Sequence, residues 1–356
     1  MISNHKSPKV ALVVLNYNCQ PFIKSCLNSL LRQKYKNKKV FFIDNHSSDA
    51  SVSYVQKHYP QVILIKNKKN FGIGKGFNVV IKKVINDFDY FGLFNTDIKA
   101  DKNWLYQLID TFSQNPNIEV ANGLTFNWQG DLVDNAGGTI INFFNGIIGG
   151  FLDSQTTKNL PLKYKNHVYP VFFSLITGML VKTSAFKKVG FFAEDYFMFC
   201  EEFDFCWRVL LTGSKVICNP KATMRHYTYH EKRNKIIVAK ILKLTETNLL
   251  ATYYKNLSSV GLLTVFPILI MARFFMAVIY IAIVPKVAFL KTEGIALFFK
   301  NLFRGKYHQS RRLNLKIRKL SDQQILSVNP TNIFNIKTIF NLALSWFKTV
   351  YKDYSA

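Results

Sequence analysis

Val10-Ala11-Leu12-Val13-Val14-Leu15-Asn16-Tyr17-Asn18 decides the fold. Six apolar residues in a row, three of them β-branched, read as a strand buried on both faces. A polar Asn-Tyr-Asn follows at its end. Residues 21–34 then place Phe22, Ile23, Cys26, Leu27, Leu30 and Leu31 at helical spacing. The alternation continues: strands are predicted at 40–43, 62–65, 90–94 and 118–121, and helices at 48–58, from about 72 to 85, and at 102–113. Strand–helix repetition with short connections implies a doubly wound, mostly parallel α/β sheet of Rossmann-like form. In such sheets ligands bind outside the carboxyl ends of the strands. Polar residues just after each strand are therefore where chemistry is expected.

From about 126 to 170 the pattern loosens into Gly- and Asn-rich pieces, read as a hairpin and a mobile loop able to close over a ligand. A returning strand is predicted at 175–181, an amphipathic helix at Glu201–Leu211 and a short strand at 215–218. The character changes after His230. Residues 231–320 hold 17 Lys and Arg against 3 Asp and Glu, and enclose the apolar run 260–284. That run has 25 residues, and a bilayer span needs roughly 20. Pro267 and Arg273 interrupt it, however, and an intramembrane Arg costs at least about 2.5 kcal/mol. Two shallow interfacial helices, with basic residues on the headgroups, are preferred to a span. A buried helical hairpin is the plain alternative. The expected division is a catalytic domain at 1–230, a basic, apolar, membrane-associating helical region at 231–320, and a helical tail at 321–356.

The chain of 356 residues is 49% hydrophobic and 15% aromatic, ample material for a core. Its 47 Lys and Arg against 21 Asp and Glu give a net charge of +26, which favours polyanionic partners such as anionic lipid or phosphorylated substrates. Nucleic acid is not expected, because the basic residues gather around the apolar tail and no nucleic-acid module is recognisable. Five cysteines show no paired metal-type spacing. With a polar, strand-leading segment 1–9, they suggest a reducing setting.

Four clusters lie where the sheet would place chemistry. Asn16-Tyr17-Asn18 ends the first strand. Asp44-Asn45 ends the second, followed by Ser47, Ser48 and Asp49. Ser48 or Asp49 suits a helix N-cap, whereas Asp44 sits where base or ribose recognition occurs in doubly wound folds. Asn70-Phe71-Gly72-Ile73-Gly74-Lys75-Gly76-Phe77-Asn78 opens a helix, and its glycines would let the backbone approach a diphosphate. It is neither a dinucleotide fingerprint nor a P-loop. Asn95-Thr96-Asp97 ends the fourth strand. With Asp101 available to cap the next helix, Asp97 is left to hold a divalent cation against phosphate oxygens. Last comes Glu201-Glu202-Phe203-Asp204-Phe205-Cys206-Trp207-Arg208. Asp204 and Arg208 form an i, i+4 pair, while a carboxylate at a helix N-terminus stays ionised more easily and suits a general base.

The ordered set NYN, DN-x-S-x-D, N-x-G-x-G-x-N, NTD, TGM and EE-x-D-x-C-W-R resembles glycosyltransferase family 2, and most closely its rhamnosyltransferase-like branch. The match covers residues 10–230. The resemblance implies a GT-A fold, an inverting reaction, a nucleotide-diphosphate sugar donor and a divalent metal, Mg²⁺ or Mn²⁺. It implies that Asp44 reads the nucleobase, that Asn16 lines its pocket, and that Asn70 and Gly74 border the donor. Asn18, Asn45, Asn78, Asn95, Gly178, Glu201 and Asp204 complete the implied substrate-binding set. Asp97 would be the metal-binding acid, in a motif with one carboxylate left. His226 would stand near the diphosphate as a second metal ligand, and Glu202 would be the catalytic base. The family's processive polymerases carry Q-x-x-R-W, which this chain lacks, so one sugar is expected per encounter.

The expected reaction is a single in-line displacement onto a hydroxyl of a glycan acceptor, polyprenyl-linked, in cell-surface polysaccharide or glycoconjugate synthesis. The place expected is the cytoplasmic face of the cell membrane, peripheral rather than spanning. A sugar-phosphate nucleotidyltransferase is the rival enzyme, but it needs a Gly-rich basic loop after the first strand. A noncatalytic polyanion- or membrane-binding protein is the other rival.

Overall fold

The computed structural model describes residues 7–142, 147–150, 167–227 and 235–326, with 328. They fall into two compact units. One is drawn from the ranges 1–138, 150–197 and 201–228, the other from 139–149, 198–200 and 229–356.

In the first unit, β1 (Val10–Asn16) is buried at all seven positions, as its unbroken apolar run requires. It pairs in parallel with β2 (Lys38–Asp44) on one side and with β4 (Tyr90–Asn95) on the other, and β3 (Ile63–Lys66) extends β2 at the edge. Between them lie α1 (Gln20–Leu31), α2 (Ser51–His58) and α3 (Ile73–Val84). Ile23, Cys26, Leu27 and Leu30 are the buried stripe of α1, the face its spacing marked. Neither Ser48 nor Asp49 is the N-cap of α2, which is Ala50; the Asp49 carboxylate instead accepts the Ser51 N–H at 3.0 Å.

Beyond β4 come β5 (Ile98–Ala100), α4 (Trp104–Gln114) and β6 (Ile118–Phe126). Asn103 takes the N-cap position of α4, and Asp101 accepts the Asn103 N–H at 2.9 Å. Then follow β7 (Val133–Asn135), the paired strands β8 (Gly138–Asn142) and β9 (Ile147–Gly150), which form a small sheet of their own and, over 139–149, count with the second unit, β10 (Tyr169–Pro170), β11 (Met179–Lys182), α5 (Thr183–Val189), α6 (Glu201–Leu211) and β12 (Lys215–His226). The sheet order is β10-β12-β6-β11-β4-β1-β2-β3, with β5 on β12 and β7 on β6. β11 is antiparallel to both its neighbours, so β6 and β12 run with β1. The sheet is thus mostly parallel with one reversed strand in its middle. Its core stacks Leu12, Val14, Phe42, Phe94 and Trp104.

Several strands differ from expectation: β6 runs on to Phe126, and β11 begins only at Met179. β5 has only three residues, too few for a periodic signal. The strand predicted at 215–218 continues to His226, because an irregularity between Asn219 and Thr223 interrupts the apolar pattern without ending the pairing. Much of the loop expected to close over a ligand lies outside the described residues.

The second unit holds α7 (Lys235–Asn256), α8 (Ser259–Ile283), α9 (Pro285–Phe303), α10 (His308–Ile317) and α11 (Asp322–Leu326). The tail expected at 321–356 is described only to the end of α11 and at 328. The apolar run forms one continuous helix, with Pro267 inside it, rather than two. Phe266, Leu269, Ala277 and Tyr280 form its buried face. Arg273 falls on that face and makes a two-point ion pair with Glu246 of α7, while Lys291 of α9 reaches Glu246 Oε2 at 2.9 Å. On the other side, Leu263 is 79% exposed, Met271 70% and Phe275 65%. The helix is therefore neither a core element nor split by its arginine.

Glu246 is almost fully buried, so truncating it would remove the carboxylate that two enclosed cations share. Glu246→Ala is expected to cost about 3–5 kcal/mol, the usual penalty for breaking a buried ion pair. Leu263→Ser, on the exposed face, should change stability by less than about 0.5 kcal/mol. Denaturant unfolding of the two variants checks both.

Candidate active site

Parallel register sets Asn16 beside Asp44 and Leu15 beside Asn95, so the polar ends of β1, β2 and β4 reach one edge together. Asn16 is fully buried. Its Nδ2 donates to Asp44 Oδ1 at 3.2 Å and to Ser47 Oγ at 3.1 Å, and its Oδ1 accepts from Thr96 Oγ1 at 3.0 Å. Asp44 Oδ2 accepts the Ser47 N–H at 3.0 Å. Asn18, at φ 53°, accepts the Ser48 N–H at 2.8 Å. Asn16, Asn18 and Asp44 thus belong to one web, joined by Ser47 and Thr96, which stand in the motifs but were given no role there.

Other candidates are engaged inside the protein. Asn45 Nδ2 donates to Asn70 Oδ1 and to the Gly72 carbonyl, while its Oδ1 accepts from Asn67 and from the Phe71 N–H. Asn70 also accepts the Gly72 N–H. The Ile73 N–H goes to the Phe197 carbonyl at 2.8 Å. The N–H groups of Phe71, Gly72 and Ile73 are therefore taken up inside the fold. Gly72, at φ +78°, lies so close to Phe197 that a side chain would collide with its carbonyl. Gly74 lets α3 approach Phe192 and Glu201. Asn78 clasps Phe192 through its backbone at both ends of the amide. Asp204 is buried in its pair with Arg208, 2.9 Å away, and Arg208 also holds the carbonyls of Val189 and Phe191. These contacts make Asn45, Asn70, Gly74, Asn78 and Asp204 braces. Asn95 donates to Thr177 Oγ1 at 2.9 Å, and the neighbouring Gly178, at φ +89°, donates its N–H to Leu93 at the end of β4.

Asp97 lies between β4 and β5. The far end of β12 pairs with β5 so that His226 opposes Ile98, which brings the ring to Asp97. His226 Nε2 is 3.6 Å from Asp97 Oδ2, and its Nδ1 is 2.9 Å from Asp134 Oδ2. Burial alone would lower the His226 pKa; the carboxylates of Asp134 and Asp97 outweigh it and lift it to about 9. Asp134 lay in the stretch read as loose, on a three-residue strand, and no sequence signal pointed to it.

A divalent cation fits Asp97 in one respect that the structure displays: its Oδ1 is buried with no hydrogen-bond partner among the described residues. No group of three or more His, Cys, Asp and Glu suited to a metal occurs among them. A cation here would draw its remaining ligands from phosphate and water, as Mg²⁺ commonly does.

Glu201 and Glu202 open α6, directly after Phe199 and Cys200, both at positive φ. The contact of Gly74 with Glu201 places this helix start beside the start of α3. Glu201 is buried, and Oε2 of each glutamate lacks a partner among the described residues. Burial, with the adjacent charge of Glu202, pushes Glu201 well above the carboxylate range, and burial raises Glu202 as well. The helix dipole was expected to favour ionisation; desolvation wins instead.

A carboxyl raised in the folded state stabilises the protein below its unfolded pKa, and that contribution is lost as pH rises through the folded value. Glu202→Gln should therefore melt higher than the parent at pH 8, with the gap closing by pH 4. The difference is about 1.4 kcal/mol for each unit by which the folded pKa exceeds the unfolded one. Thermal melts across that range measure it.

Residues 11–182 match the sequence profile described as Glycosyl transferase family 2; Glu202 and His226 lie beyond that segment. The chain is 25% identical over 233 residues to an N-acetylglucosaminyl-diphospho-decaprenol L-rhamnosyltransferase of Mycobacterium tuberculosis, covering 62% of this chain and 76% of the relative. It is also 25% identical over 217 residues to a poly-beta-1,6-N-acetyl-D-glucosamine synthase of Staphylococcus aureus, covering 60% of this chain and only 48% of that longer relative. Among solved structures, GalNAc-T7 with UDP, GalNAc and Mn²⁺ superposes with a TM-score of 0.54 at 13% identity, covering 70% of this chain and 48% of the other. The mannosyltransferase PcManGT of Pyrobaculum calidifontis, with GDP-Man and Mn²⁺, gives 0.51 at 13% identity, with coverages of 91% and 86%. The order of the sheet, the family match and these likenesses agree: residues 11–182 form a glycosyltransferase family 2 domain on a GT-A fold, and the chain is a glycosyltransferase.

Proposed function

We propose that the chain transfers one sugar, with inversion, from a nucleoside-diphosphate donor to a hydroxyl of a lipid-linked glycan in cell-surface polysaccharide or glycoconjugate synthesis. The observation that carries this reading is the buried Oε2 of Glu202, without a hydrogen-bond partner among the described residues, at the start of α6. A base must accept a proton near neutral pH, and a raised carboxyl is matched to that task. Glu202 takes the proton of the acceptor hydroxyl as its oxygen bonds to the anomeric carbon. The bond from that carbon to the diphosphate oxygen breaks on the opposite side, and the nucleoside diphosphate leaves with the electron pair. Asp97 and His226 hold a divalent cation, which when bound neutralises charge on the leaving diphosphate. Asp44, fixed by Asn16 and Ser47, offers a carboxylate for the nucleobase or ribose. The rhamnosyltransferase and the synthase named above are the support for a glycan acceptor.

The second unit suits a membrane surface. The exposed side of α8 is apolar along the helix, and only 17% of its apolar window is buried. Its inner side rests on helices that carry Lys243, Lys286 and Lys300, residues unsuited to the hydrocarbon depth of a span. With Arg273 already paired, α8 lies in the interface with its apolar side to lipid and the surrounding cations on anionic headgroups. The cytoplasmic face, where nucleotide sugars are made, is the side we assign.

Purified protein is expected to release nucleoside diphosphate from one member of a panel of UDP-, dTDP- and GDP-sugars, given lipid-linked acceptor extract and Mg²⁺ or Mn²⁺. Glu202→Gln should lower kcat by about 10²–10⁴-fold, and the parent's rate should rise with pH on a limb above the ordinary carboxylate range. Release undiminished in Glu202→Gln would remove Glu202 from the role of base.

Vesicles containing phosphatidylglycerol should sediment the parent protein, and less so in high salt. The pair Leu263→Glu and Phe275→Glu should abolish sedimentation without lowering the melting temperature. Equal sedimentation of parent and variant would refute the interfacial placement of α8.

A further inference from the structure

We infer that Asp134 is the positioning residue of the cation site, its carboxylate accepting the Nδ1–H of His226 so that the Nε2 edge is presented beside Asp97. The inference rests on the reading of Asp97 and His226 as the groups that hold the cation.

The backbone explains how Asp134 arrives. β7 folds back on the end of β6, with Val133 opposite Phe126, while β12 runs along the other edge of β6 with Arg225 opposite the same Phe126. Asp134 and His226, each one residue further on, meet across the end of β6 at 2.9 Å. The three side chains are shielded alike: Asp134 is 21% exposed, His226 22% and Asp97 23%.

The chemistry fixes the direction of the bond. An ionised carboxylate only accepts, so the proton between Asp134 and the ring belongs to Nδ1. A neutral imidazole with its proton there has its lone pair on Nε2, the nitrogen 3.6 Å from Asp97. A ligating histidine held by a carboxylate on its second nitrogen is fixed in tautomer and orientation and made more basic. Here this offsets a motif, Asn95-Thr96-Asp97, that brings one carboxylate to the site. Asp134 strengthens the cation's hold through the ring without touching the cation.

The full-length protein titrated with Mn²⁺ alone, with free Mn²⁺ counted by electron paramagnetic resonance, tests this. Asp134→Ala should weaken Mn²⁺ binding about 10–100-fold. Asp134→Asn keeps an acceptor oxygen and should restore most of the loss. In a His226→Gln background, Asp134→Ala should add nothing, because its effect passes through the ring. Parental affinity in Asp134→Ala overturns the inference, and so does a further loss in the His226→Gln background. One measurement needs no variant. In histidine-labelled parent protein at a pH above the raised pKa of His226, where the ring is neutral, long-range ¹H–¹⁵N correlation should find the proton on Nδ1; a neutral ring protonated on Nε2 overturns the inference. Asp97→Asn separates the two readings. If it binds Mn²⁺ as the parent does, or if the parent binds none, the cation reading falls and this inference falls with it.

Discussion

The parallel register of β1 against β2 and β4 is the constraint on which the site depends. It ends the strands at one level, so that Asn16, Asp44 and Asn95 emerge side by side. A register shift of one residue would turn every side chain of β1 to the opposite face of the sheet and would separate Asn16 from Asp44. The parallel pairing of β1 with β2 on one side and β4 on the other holds it against that shift. Thr96 and Ser47 then fasten the polar ends to one another, so the same alignment that hides Val10 through Leu15 presents the chemistry.

Much of this was legible in the residues. β1 announces itself because a strand buried on both faces must be apolar throughout, and α6 because its helical spacing and three acidic residues leave one assignment. The carboxyl-edge rule then points to Asp44 and Asp97, whereas Glu202, at a helix start, was singled out by the family resemblance. What stayed hidden has a common physical cause. β5 and β7 are three residues each, shorter than any periodicity, and they decide that His226 meets Asp97 and Asp134. The motif residues Asn45 and Asn78 carry the right chemistry for a ligand, yet their amides, like the Asn70 oxygen, are taken up by neighbouring backbone and side chains. A sequence records which polar groups exist, not which are already satisfied.

The second unit shows the same limit from another direction. Arg273 looked like an obstacle to a membrane span because its charge interrupts an apolar run. In three dimensions the run has two sides, and Arg273 is on the one that faces Glu246 and Lys291. The cost of the charge is met inside the protein, which leaves the opposite side of α8 uninterrupted. Hydropathy summed along a helix cannot separate the two sides; position around the axis can.

The hydrogen bond from the Ile73 N–H to the Phe197 carbonyl joins the start of α3 to the chain leading into α6. Because it is made by main-chain atoms, side-chain replacement at either position leaves its donor and acceptor in place. The side chains of the loop on one side and of the glutamate helix on the other can therefore be exchanged while the spacing between them is kept. Only an insertion, a deletion or a proline at position 73 would break that link.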